Sequence, residues 1–131
     1  MGATYAEVVA GVGAAIAAYT HALDDGRPDD IVATFCEDGG CDIPGLGSYQ
    51  GRDALRGAYS GFQPQQSMRH VVANTEITDW NDHEAKATSD VIVLAKGDKG
   101  WSIAIVGRYE DTLHNEDGTW RFHHRSAAFV T

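Results

Sequence analysis

Met68-Arg69-His70-Val71-Val72-Ala73-Asn74 is the stretch at which this 131-residue chain changes character. Its β-branched and small residues, continued by Thr75 and Ile77, predict a strand of about ten residues. A strand sets His70, Val72 and Asn74 on one face and Val71, Ala73 and Thr75 on the other. An ionisable ring among residues that favour burial is either a hydrogen-bonded core histidine or a working base, and the strand alone leaves both readings open.

From that stretch onward the pattern has period two. Four strands are predicted, at about 67–79, 84–96, 100–113 and 119–130. Asn81-Asp82-His83, Gly97-Asp98-Lys99-Gly100 and Asn115-Glu116-Asp117-Gly118 join them with turn chemistry at hairpin length, which makes the second half an antiparallel meander. Before the stretch the pattern is helical. Val8, Val9, Val12, Ile16, Tyr19 and Leu23 recur at spacings of three and four within an alanine-rich run from Ala3 to about Leu23. Gly11 and Gly13 weaken that helix and mark close packing against a sheet. Asp24-Asp25-Gly26-Arg27-Pro28 ends it, and Pro28 opens a short helix with Ile31, Val32 and Phe35 as its buried face. Glu37-Asp38-Gly39-Gly40 breaks the chain, a small hairpin runs from Cys41 to Gly51, and a third helix covers Asp53 to about Tyr59. Helices first and a long curved sheet second make an α+β chain with a cavity between the two layers.

Composition narrows the function. The length suits one domain over residues 1–131, and 43% hydrophobic residues suffice for one core. A net charge of −9 repels phosphate backbones and anionic membrane surfaces, so neither nucleic acid nor membrane is an expected partner. Apart from the opening apolar segment, interrupted by Glu7, no run approaches a membrane span, and no basic segment precedes it; a cytoplasmic location is expected. Cys36 and Cys41 are the two cysteines and read as reduced core or pocket-wall residues.

The order of elements, with Ala22-Leu23-Asp24-Asp25-Gly26, Gly47-Ser48-Tyr49-Gln50-Gly51, Arg69-His70, Gly107-Arg108-Tyr109 and Asp117-Gly118-Thr119-Trp120-Arg121-Phe122, resembles the SnoaL-like branch of the NTF2-like superfamily over nearly the whole chain. The resemblance implies a cone-shaped α+β barrel, with three N-terminal helices packed in a curved, mostly antiparallel sheet. It also implies a site. Asp24 falls where the scytalone dehydratase, hexachlorocyclohexane dehydrochlorinase and bile-acid 7α-dehydratase members carry an aspartate, and His70 falls on their catalytic histidine. Arg125, five residues after Trp120, resembles a pocket arginine of the last two. Tyr19 matches a tyrosine of the bile-acid enzyme, and Asp90 a second acidic residue there. Two departures from scytalone dehydratase argue against scytalone as substrate: Leu23 replaces a tyrosine, and no second histidine stands near Ala95.

Each residue carries two readings. Asp24 either orients the His70 ring and makes its free nitrogen a better base, or only ends a helix. Arg125 either faces the cavity and stabilises a departing anion, or pairs with an acid at the surface. Tyr19 either donates to a substrate oxygen or packs in the core, and Asp90 either contacts substrate or begins a strand. Phe35, Ile43, Tyr59, Trp101, Ile105 and Phe129 supply the apolar wall for a small hydrophobic cyclic ligand, such as a polyketide or steroid ring system, and by default would be core. His83 and His114 fall in expected turns, while the adjacent His123 and His124 point to opposite strand faces, so no metal site is expected. The leading reading is a cofactor-independent lyase, a dehydratase or related enzyme. An isomerase or polyketide cyclase, or a non-catalytic ligand-binding module, is the alternative. Apolar residues on more than one sheet face predict a homodimer or larger homo-oligomer.

Overall fold

A computed structural model describes residues 2–130. Three helices, α1 (Tyr5–Asp24), α2 (Pro28–Ala33) and α3 (Arg52–Ser60), pack in the concavity of a curved, unclosed six-stranded sheet. The strands are β1 (Phe35–Ile43), β2 (Gly47–Gln50), β3 (Met68–Trp80), β4 (Glu84–Gly97), β5 (Gly100–Glu116) and β6 (Thr119–Phe129), in the order β2-β1-β6-β5-β4-β3. The meander β3 to β6 is antiparallel throughout, as the hairpin-length turns require. The β1–β6 pair is parallel, so the sheet is mixed.

Thr4 caps the start of α1: its hydroxyl accepts the Glu7 backbone N–H at 3.2 Å and donates to the Glu7 carboxylate at 3.1 Å. By length and composition α1 is apolar enough to cross a membrane. Its apolar stripe, Val8, Val12, Ile16, Tyr19 and Leu23, is buried in the core with Leu55, Leu113 and Phe122. Gly11 packs closely, since a Cβ there would lie 2.2 Å from the Trp120 ring, whereas Gly13 faces open space.

Several sequence expectations need correction. Val9 points outward, and Asp24 is the last residue of α1 rather than the first after it. Phe35 opens β1 instead of closing α2, and Glu37-Asp38-Gly39-Gly40 continues that strand. The reason is contact across strands: a Cβ on Gly39 would meet the Phe122 carbonyl oxygen at 2.7 Å, and one on Gly40 the Tyr49 carbonyl oxygen at 2.7 Å. These glycines permit close approach where, read locally, they signal a break. His114 lies within β5, which runs three residues past its expected end.

Candidate functional site

His70 sits on β3 opposite Val93 of β4, on the concave face. The C-terminal end of α1 brings Asp24 to it. One Asp24 carboxylate oxygen accepts the His70 backbone N–H at 2.9 Å, and the other lies 2.6 Å from His70 Nδ1. Both side chains are nearly buried, at 9% exposure for His70 and 6% for Asp24. An ionised carboxylate only accepts, so it fixes the tautomer with the proton on Nδ1 and leaves Nε2 with its lone pair.

The ring borders a cavity of about 300 Å³ between α1, α3 and the sheet. Tyr19, Leu23, Ile43, Tyr59, Phe62, Met68, Val91, Val93, Ile105, Tyr109 and Phe129 are among its walls. Its polar groups are few. The Tyr19 and Tyr59 hydroxyls lie 2.7 Å apart, and burial pushes both phenols well above the ordinary tyrosine range, so each remains a protonated donor. A larger hollow of about 660 Å³ lies by α1, Arg27 and Trp120, but it is more open and holds no comparable acid–base pair.

Arg125 is wholly buried and does not line the cavity. Its guanidinium carbon stacks 3.4 Å from the Tyr109 ring centroid and 4.4 Å from that of Tyr19, so it stands behind two wall residues. Its Nε is 3.1 Å from Asp111, directly across on β5, without the alignment of a hydrogen bond. Burial, opposed by Arg125, pushes the Asp111 carboxyl up to about 6. Arg125, expected either to face the cavity or to pair with a surface acid, thus does neither: it is buried one layer behind the cavity wall, beside the buried Asp111.

The other expected site residues divide. Tyr19, Tyr59, Ile43, Ile105 and Phe129 line the cavity with His70. Phe35 is one layer deeper, packed on Tyr19, Tyr59 and Phe122. Asp90 faces outward, held by Arg108 at 2.9 Å and Asn74 at 2.9 Å, because it alternates with the inward Ser89 and Val91. Trp101 is 50% exposed near the β4–β5 turn, across from Lys96, and takes no part in the cavity. Tyr109 was missed as a wall residue. The signal was present in the alternation of β5, where Ile105 and Tyr109 share the inward face.

A family model described as a SnoaL-like domain matches residues 4–126. A scytalone dehydratase candidate from Novosphingobium aromaticivorans has the same fold, with a TM-score of 0.82 at 24% identity over 95% of this chain and 85% of its own. A Catenulispora acidiphila protein in complex with S-DNPA gives 0.83 at 25% identity, over 95% of this chain and 94% of its own. A hexachlorocyclohexane dehydrochlorinase of type 2 gives 0.79 at 17% identity, over 95% and 86%. No curated protein sequence matches the chain significantly.

Proposed function

We propose that this chain, which belongs to the SnoaL-like domain family of the NTF2-like superfamily, is a cofactor-independent lyase acting on a small hydrophobic cyclic substrate. The supporting observation is the His70–Asp24 pair at 2.6 Å beside an apolar cavity. His70 Nε2 takes a proton from a ring carbon. The electron pair left behind forms the double bond as the neighbouring leaving group departs, and Asp24 stabilises the imidazolium that results. Tyr19 and Tyr59 share one hydrogen bond, so the pair keeps one free O–H to donate to the departing oxygen or halogen, and Arg125 holds positive charge behind Tyr19. Among proteins of the same fold, one is named a hexachlorocyclohexane dehydrochlorinase and another a scytalone dehydratase candidate, both names of elimination chemistry.

A second reading is isomerisation or cyclisation. It is favoured by the depth of Arg125, since proton transfer without a departing anion needs no cation at the cavity wall. Product mass separates the two. Hydroxylated bicyclic ketones and hexachlorocyclohexane, incubated with the protein and followed by mass spectrometry, should lose water or hydrogen chloride under the lyase reading. Conversion at unchanged mass would move the assignment to isomerase or cyclase. Tight binding of these probes without any conversion would leave a ligand-binding module.

A further inference from the structure

A second cluster of chemically capable side chains lies outside the cavity, on β1, β5 and β6. Cys36, His114 and His123 present one ligand atom each, all within 4.8 Å of one another. The strand register explains the meeting. Thr112 pairs with His124 and Leu113 with Phe122, so His123 is the extra residue of a bulge. Bulges re-aim side chains, and this one stacks the His123 ring on His114, with centroids 4.1 Å apart and planes 12° from parallel. Cys36 follows the core residue Phe35 in β1 and is itself buried.

We propose that Cys36, His114 and His123 bind one borderline transition-metal ion, with Zn²⁺ the best fit. A thiolate and two imidazoles are the donor set that such ions prefer over calcium or magnesium. Two polar observations support a ligand here. His123 Nδ1 is buried without a hydrogen-bond partner among the described residues. His114 Nε2 lies 3.0 Å from the Glu84 carboxylate, the second-sphere arrangement that orients a ligating histidine and leaves its Nδ1 lone pair for a metal. Asp38, with a carboxylate oxygen 3.7 Å from His123 Nδ1, adds negative charge and is a candidate fourth ligand. The stacked rings must turn apart about χ2 to converge on one ion, which is a soft torsion. Burial holds the Cys36 thiol protonated, pushed up to about 11, so binding releases a proton. A metal here would tie β5 and β6 to β1 across the sheet's parallel seam.

The test uses Co²⁺ as a spectroscopic probe on untagged, chelator-treated protein. One equivalent should produce a thiolate-to-cobalt charge-transfer band that Zn²⁺ abolishes. The band should vanish in Cys36→Ser and persist in Cys41→Ser. His114→Gln and His123→Gln, at partly exposed positions, should weaken Co²⁺ binding by about tenfold or more with the far-ultraviolet circular dichroism unchanged. Zn²⁺ should raise the melting temperature of the unsubstituted protein and leave that of His123→Gln unchanged. No charge-transfer band, a band retained in Cys36→Ser, or unweakened binding in both histidine variants would overturn the site. If Cys36→Ser fails to fold, the histidine variants decide.

Discussion

Asp24 grips His70 by main chain and side chain together, with one oxygen on the backbone N–H at 2.9 Å and the other 2.6 Å from Nδ1. The carboxylate is therefore positioned by the strand itself, and the ring is oriented by a group that cannot swing away with it. Nitrogen-15 chemical shifts of the histidine side chains should show His70 as the Nδ1–H tautomer when neutral. Asp24→Asn should remove that preference while leaving the other five histidines unchanged. A His70 ring indifferent to Asp24 would sink the oriented-base reading.

His70→Gln keeps a polar side chain of similar size without a base. Turnover should fall by about 10²–10⁴-fold with the far-ultraviolet circular dichroism unchanged. Retained turnover would remove His70 from the reaction, and retained probe binding with lost turnover would separate catalysis from recognition.

The Tyr19 and Tyr59 hydroxyls satisfy each other inside the core. Tyr59→Phe should cost about 1–3 kcal/mol in urea unfolding, because it strands the Tyr19 hydroxyl. The double variant with Tyr19→Phe should cost less than the sum of the two single changes. Strict additivity would show that the 2.7 Å contact contributes nothing.

Asp111 gives a pH signature of definite sign. Its carboxyl is raised from 3.8 to about 6 in the folded protein, chiefly by burial, so between about pH 4 and 6 the native state holds a proton that the unfolded chain has lost. This group's contribution to stability falls as pH rises through that window. Asp111→Asn cannot ionise, so it should gain stability relative to the unsubstituted protein from about pH 4 to pH 7 in paired thermal melts. A relative loss over the same range would contradict the raised carboxyl.

The outer sheet face carries an apolar row, since Val71 pairs with Ile92 and Ile92 with Val106, with the exposed Val130 beyond. Such a row favours a homo-oligomer packed through the sheet. Light scattering at micromolar concentration should give at least a dimer, and Val106→Glu should shift it to monomer with the fold intact. A monomeric unsubstituted protein would dismiss this interface.

The amphipathic spacing of α1, the period-two alternation after residue 67 and the turn residues between strands were enough to locate three helices, a hairpin and the four-stranded meander. These are local properties, set by side-chain periodicity and by turn chemistry within a few residues. The same alternation put His70 and Val72 on one face, and only their pairing with Val93 and Val91 makes that face the inner one. What local pattern could not supply was contact between distant segments. Glu37-Asp38-Gly39-Gly40 reads as a break, and only the carbonyls of Phe122 and Tyr49 explain why glycine is needed there in a strand. Asp90 and Trp101 looked suitable for a site as residue types. Their outward placement depends on β4 and β5 pairing in a register that the sequence alone does not fix. Arg125 reads from the sequence either as a cavity cation or as the partner of a surface acid, and its buried place behind Tyr109, beside Asp111, is decided by the β5–β6 register that sets those two residues opposite each other. The bulge that turns His123 onto His114 has the same origin, because one extra residue in a strand is defined only by the strand it pairs with.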